Sequence, residues 1–147
     1  LSCKKEIIFT KINIYVHEDL SEMNLYPCAY SMTFNVTGNK LNAILNQRSQ
    51  DILAANNWNV CQYAILIHML ARECNLEVGE LVHVIADAHI YDRHLEMAEA
   101  LLGKEPLEAP KLVINPDKKD FYSFTVEDIA LEGYHYHDFP YKIPVAE

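Results

Sequence analysis

Residues 26–51, YPCAYSMTFNVTGNKLNAILNQRSQD, concentrate the side chains with the most chemistry in the chain. Cys28 directly follows Pro27 and precedes a strand-like run, and a second strand-like run ends in Gln47, Arg48, Ser49 and Asp51. If the two runs pair as a hairpin around Thr37-Gly38-Asn39-Lys40, Cys28 and Arg48 become neighbours on adjacent strands. A thiol beside a fixed guanidinium has a lowered pKa and acts as a nucleophile. The same guanidinium can grip a phosphate through two parallel hydrogen bonds. The segment thus supplies a nucleophile and an anion anchor together. The plainer readings are a small buried cysteine and an arginine lying along the surface. The Pro-Cys context and the hydrogen-bonding flanks of Arg48 favour a site over both.

These groups need elements to hold them. Residues 6–16 read as a strand and 18–23 as a short helical turn. Residues 30–36 and 41–46 form the hairpin strands, and 47–57 read as a polar loop over a site. From Trp58 the period changes. Val60, Tyr63, Ala64, Ile67, Leu70, Ala71 and Cys74 recur at helical spacing, which predicts a helix ending near Asn75. With Ile65, Leu66 and Met69 also apolar, that helix is expected to be buried on most sides, with Cys61 and Cys74 as buried hydrophobes. Residues 81–91 read as a two-faced strand. Val82, Val84, Ala86, Ala88 and Ile90 are expected to face the core, and Asp87, His89 and Tyr91 to line a ligand cavity. Asp92 suits the N-cap of a helix through Leu102, with Gly103 just beyond it. Late strands are expected over 111–115 and about 125–134. The class is α/β, a sheet with covering helices.

At 147 residues the chain is long enough for one domain, residues 1–147, with a real core, and half of its residues are apolar. A net charge of −9, from 12 basic and 21 acidic residues, argues against nucleic acid as a partner. An anionic ligand then requires a local cation, and the arginines are only Arg48, Arg72 and Arg93. The cysteines, Cys3, Cys28, Cys61 and Cys74, form no C-x-x-C pair, and no secretory signal is visible. The apolar run around Ile65 is broken by Gln62 and His68, so no membrane span is expected. The reading is a reducing cytoplasmic setting with free thiols. No metal is expected: His89 and His94 fall on different elements, and no third ligand converges with them and Asp87.

Pro27-Cys28, Gln47-Arg48-Ser49-x-Asp51, Asp87-x-His89-x-Tyr91, Glu132-Gly133-Tyr134 and Pro144-Val145-Ala146 follow one another in an order that resembles thymidylate synthase from about Met23 onward. The resemblance implies a thymidylate synthase-like sheet with covering helices, corresponding to the carboxyl-terminal part of a longer enzyme without its amino-terminal half. It implies reductive methylation of dUMP to dTMP with methylenetetrahydrofolate as co-substrate and Cys28 as nucleophile. By resemblance Arg48 and Ser49 hold the phosphate and Gln47 also serves the substrate. Asn59 reads the base, His89 and Tyr91 the sugar, and Asp51 and Ala146 belong to the folate site. A carboxamide at Asn59 matches the O4 and N3–H edge of uracil, where the related dCMP hydroxymethylases carry aspartate. Asn59 also reads as a helix N-terminal cap. The family forms a homodimer through one face of its sheet. The chain departs from the family pattern at Lys4-Lys5-Glu6 in place of an Arg-Arg pair, at Ala29 in place of histidine, and at Glu147 in place of an apolar end. Two further readings stand beside the enzyme: a nucleotide-binding remnant without turnover, and a fragment completed by a separate amino-terminal chain. His17, His68, His83, His135 and His137 are assigned no role.

Overall fold

The computed structural model describes residues 10–118 and 120–144. They fall into two compact units, Leu1–His89 and Ile90–Glu147. The first unit is built on a four-stranded sheet. Strand β1 (Thr10–Asn13) is shorter than the expected 6–16, of which residues 6–9 lie outside the described part. A 3-10 turn over His17–Glu22 follows, close to the short helical turn expected there. The hairpin is present as β2 (Ala29–Thr37) and β3 (Lys40–Gln47), antiparallel, with Thr37 opposite Lys40. Gly38 has φ 62 and Asn39 does not share the positive φ. That pattern fits a two-residue type II′ turn, which only glycine enters without strain.

Alternation on the hairpin builds the core. Met32 and Phe34 of β2 pair with Leu45 and Ala43 of β3, and all are buried on one face together with Leu41. Helix α1 (Asn56–Glu73) covers that face with Tyr63, Ile67 and Ala71, spaced one turn apart. Truncating Met32, Leu45 or Ile67 to alanine would remove a fully buried side chain, at about 2–5 kcal/mol each. The helix stops where the sequence indicates. Asn75 takes φ 52, and its N–H and that of Leu76 close back on the carbonyls of Arg72 and Ala71. This is a Schellman ending with asparagine in the usual glycine position.

Strand β5 (Glu77–Ile85) runs parallel to β3, with Ala43 opposite Leu81 and Leu45 opposite His83. The pairing overturns the facing expected for residues 81–91. The odd positions Leu81, His83 and Ile85 turn toward the helix-covered side and are half-buried, while Val82 and Val84 are each 48 % exposed on the open side. Alternation marks two faces, and the partner strand decides which is covered. The strand also ends earlier than expected. Ala86 and Asp87 bend, and the short strand β4 (Gln50–Asp51) pairs in parallel with β6 (Ala88–His89). The segment 47–57 is accordingly less irregular than expected, ending β3, forming β4 and entering α1.

Where β5 meets β3, three steps along one strand match two along the other, between Leu41/Ala43 and Val78/Leu81. Asn42 fills the irregularity and its Oδ1 accepts the Glu80 N–H at 3.0 Å. A β-carbon on Gly79 would lie 2.8 Å from the Leu41 carbonyl oxygen and collide with the Asn42 side chain.

The second unit begins with a 3-10 turn at Asp92–His94 that leads into α2 (Leu95–Leu102), with Gly103 at its end. Asp92 is the first residue of the turn, not its cap; Tyr91 occupies the cap position. Strands β7 (Lys111–Ile114) and β8 (Ile129–Glu132) are antiparallel. Asp128 ties their approach together. Its carboxylate accepts from Asn115 Nδ2 at 2.7 Å and from the Thr125 N–H at 2.9 Å, with Lys118 Nζ 3.5 Å away. These donors, Asn115 first, hold the Asp128 carboxyl at about 2 against an ordinary 3.8.

Two expectations follow. Gly79→Ala should destabilise the chain by about 1–3 kcal/mol, since overpacking displaces Asn42 and breaks its bond to Glu80; an unchanged urea midpoint would contradict the close approach. Asp128 has a folded pKa below its unfolded one, so its stabilisation is complete above about pH 3.8 and lost as pH falls through about 2. The melting difference between wild type and Asp128→Asn should therefore shrink across that window, and a difference independent of pH would exclude the ionised role.

Candidate functional site

The segment carrying Cys28 is anchored by its carbonyls. The Tyr26 oxygen accepts from Arg48 Nη2 at 2.7 Å, the Pro27 oxygen from the Tyr15 hydroxyl at 3.0 Å, and the Cys28 oxygen from the Arg48 N–H at 2.9 Å. The expected proximity of Cys28 and Arg48 is therefore present, through a backbone hydrogen bond at the open end of the hairpin. Cys28 is half-buried. Arg48 is half-buried too, and its Nε is enclosed without a hydrogen-bond partner among the described residues. Tyr15 was not singled out from sequence. It lies 12 positions from Pro27, so no local pattern pointed to it.

Beside this segment, Gln47 is a buried polar hub, 2 % exposed on the helix-covered face. Its Nε2 has three acceptors within reach, the Ser49 carbonyl at 2.9 Å, Gln50 Oε1 and Asn59 Oδ1 at 3.3 Å, and its two hydrogens can serve two of them at a time. Its Oε1 lies 3.0 Å from His83 Nε2. Burial holds the His83 ring below its ordinary pKa. Asn59 sits in the first turn of α1 and is half-buried, so the alternative reading as an N-cap falls away; Ala55 holds that position. Gln50 is as buried as Gln47 and was missed, as was His83. Both are single polar residues whose importance comes only from what they meet in space.

The β4–β6 pair sets Asp51 opposite His89. Asp51 Oδ1 accepts the N–H groups of Leu53 and Ala54, both at 3.0 Å, which fixes the turn into α1. His89 Nδ1 is 3.4 Å from Asp87 Oδ2. Tyr91 belongs to the second unit, where its ring stands edge-on to His94 with centroids 5.6 Å apart. His94 is buried, and its Nε2 donates to the Pro144 carbonyl at 3.0 Å. Ala146, Lys4, Lys5, Cys3 and Glu147 lie outside the described residues.

The cysteine expectations need correcting. Cys61 is exposed rather than buried, because it falls on the solvent side of α1. Cys74 is disulfide-bonded, so the thiols are not all free. Among the described residues no group of three or more His, Cys, Asp or Glu could hold a metal ion. Among them also, no helix is long and apolar enough to cross a membrane.

Residues 5–147 match the family model of thymidylate synthase, nearly the whole chain, and the chain belongs to that family. Among solved structures it is similar to the thermostable thymidylate synthase A from Bacillus subtilis, at 36 % identity and a TM-score of 0.83. The match covers 92 % of this chain and 48 % of that one, so the chain spans about half the length of the enzyme it resembles. The mixed α/β fold, a sheet with covering helices, is the thymidylate synthase fold over that half.

Tyr15→Phe removes one of the bonds that hold the Cys28 segment. We expect a stability loss of about 0.5–1.5 kcal/mol by urea titration. Iodoacetamide should also label Cys28 faster relative to Cys61, the exposed internal reference. An unchanged ratio of the two rates would show that Tyr15 does not restrain the segment.

Proposed function

We propose that this chain carries the nucleotide half of a thymidylate synthase site, with residues 1–147 acting as one catalytic domain, and that its reaction is the reductive methylation of dUMP to dTMP. The observation that carries the reading is Cys28 anchored against Arg48 next to the buried Gln47–Asn59 pair. A cysteine held rigidly at a strand end, beside a guanidinium with unspent donors, suits nucleophilic attack on an anionic substrate. In this reading Cys28 adds to C6 of the uracil ring, which makes C5 nucleophilic. Methylenetetrahydrofolate supplies the one-carbon unit and the hydride. Cys28 departs when the methylated product is complete.

Arg48 and Ser49 hold the phosphate, Asn59 with Gln47 reads the base, and His89 and Tyr91 read the sugar. Asp51 suits the folate site, because a carboxylate fixed by two backbone N–H groups is preorganised to accept from the N–H edge of a pterin. Ala146 is assigned to the same site by family position. Cys28 is a free thiol, as a nucleophile must be, and the setting we propose is cytoplasmic.

The length relation to the Bacillus subtilis enzyme favours a second reading alongside the first: nucleotide binding without turnover, or turnover completed by a separate amino-terminal chain. Catalytic groups that act as a unit lose activity together, whereas binding contacts fall away one at a time. We therefore expect the isolated chain to bind dUMP while turning it over slowly. A spectrophotometric assay of dihydrofolate formation, with dUMP affinity measured on the same sample, decides between the readings. Rapid turnover by the chain alone would exclude the second, and absence of dUMP binding would exclude both.

Arg48→Ala should weaken dUMP binding by roughly 10- to 150-fold, the equivalent of about 1.5–3 kcal/mol for a charge-assisted contact. Calorimetry showing equal affinities would reject the phosphate role. We also propose a homodimer through the open face of the sheet. Ile44 is 40 % exposed there on the same face as Val82 and Val84, and an open cavity of about 530 Å³ borders Ile44 and Val82. Such an apolar face is hidden by a partner copy in a dimer. Light scattering at micromolar concentration should give the dimer mass; a monomer mass would contradict it.

A further inference from the structure

His94 is a buried ring that the proposed reaction does not use. It is 1 % exposed, in the 3-10 turn that opens the second unit. Its backbone N–H donates to the Tyr91 carbonyl at 2.8 Å, which closes that turn. Its ring meets the Tyr91 ring edge-on, with centroids 5.6 Å apart. Its Nε2 lies 3.0 Å from the Pro144 carbonyl, 50 positions downstream. A carbonyl can only accept, so this bond requires the proton on Nε2. Pro144 belongs to a strap, residues 139–144, that forms no helix or strand. Phe139, Tyr141 and Ile143 are half-buried while Pro140, Lys142 and Pro144 are exposed, the alternation of an extended chain lying on a surface. Pro140 and Pro144 fix their own φ and bias the residues before them toward extended backbone. With no helix or strand to hold it, the strap is placed by its side chains and by the bond from His94.

We propose that His94 is the positioning residue of this carboxyl-terminal strap: it holds the strap at Pro144 and links that seat to Tyr91. The link rests on the nucleotide-binding reading given above, in which Tyr91 reads the sugar. A buried Nε2–H that lost the Pro144 carbonyl would be left without its acceptor, so lifting the strap carries the cost of an unmade hydrogen bond. Packing against Tyr91 aims the donor. The edge contact and the closed turn together leave the imidazole little room to rotate, and the orientation they favour points Nε2 at Pro144. A sugar hydroxyl bonded to Tyr91 restrains that ring further, and through it the imidazole. Bound nucleotide should therefore steady the strap, and by linkage a seated strap should strengthen nucleotide binding by the same factor.

Lys142 is exposed on the strap, and trypsin cutting after it releases residues 143–147. The protease needs the strap lifted, so the rate of that cut reads how often the strap leaves its seat. Cutting after Lys104, in the exposed segment 103–110, is the internal reference. The full chain is compared as wild type, His94→Phe and His94→Gln, with folding of each checked by thermal melting. His94→Phe keeps a ring against Tyr91 and lacks the donor. Its Lys142 cut should run about two- to tenfold faster relative to Lys104, the worth of one neutral hydrogen bond. His94→Gln carries a donor at the reach of Nε2 and should restore the wild-type ratio, whereas a general loss of stability would speed both cuts together. Saturating dUMP should slow the Lys142 cut in wild type but not in His94→Gln, which has lost the ring contact with Tyr91. An unchanged ratio in His94→Phe would overturn the anchor, and a wild-type cut indifferent to bound dUMP would overturn the link. Nitrogen NMR of the wild-type His94 ring needs no variant: a proton on Nε2 supports the bond, and a ring protonated only on Nδ1 defeats it. A wild type that binds no dUMP defeats the nucleotide-binding reading and the link with it, while the cutting ratio and the ring proton still decide whether His94 holds the strap.

Discussion

The register of the β2–β3 hairpin is the constraint on which the site depends. Strand side chains alternate, so a slip of one residue would carry Met32, Phe34, Leu41 and Leu45 from beneath α1 to the open face. The two-residue turn at Gly38-Asn39 starts the register, and the core keeps it. At the far end the pairing shifts between Ala29 and Ser31, where Tyr30 is the extra residue. That bulge turns Ala29 to the covered face opposite Gln47 and brings the Cys28 carbonyl to the Arg48 N–H. The backbone contact between Cys28 and Arg48 thus follows from the hairpin register, and the Arg48 side chain adds a bond of its own to the Tyr26 carbonyl.

The same end of the hairpin solves a burial problem with neutral groups. Gln47, Gln50 and Asn59 exchange amide hydrogen bonds under α1, and His83 caps the chain as an uncharged ring. Four neutral partners avoid the desolvation cost that a buried ion pair would bring. The Arg48 guanidinium donates to the Tyr26 carbonyl, and its Nε has no hydrogen-bond partner among the described residues. In a chain of net charge −9, that local cation is what makes attraction of an anionic ligand physically reasonable.

Much of this was legible in the residues. The turn at Thr37–Lys40, the α1 periodicity and its end at Asn75, the Pro-Cys dipeptide and the Gln-Arg-Ser run all rest on local patterns, and local patterns survive folding. What failed rests on partners distant in sequence. Val82 and Val84 looked like core, yet Ala43 opposite Leu81 turns the other face to the helix. Cys61 looked buried because its helix neighbours are apolar, while the covered stripe runs through Tyr63, Ile67 and Ala71. Tyr15 and His83 gave no signal at all, since each acquires a role from a single contact across the fold.

If Cys28 is a nucleophile presented to the C6 of a bound uracil, the bond it makes can be trapped. Mass spectrometry after incubation with 5-fluoro-dUMP and methylenetetrahydrofolate is the most direct measurement, because fluorine at C5 blocks the later steps and leaves the adduct in place. The expected result is a mass increase that maps by peptide sequencing to Cys28 and vanishes in Cys28→Ser. An adduct on exposed Cys61, or none on Cys28 while dUMP demonstrably binds, would contradict the assignment of Cys28 as nucleophile.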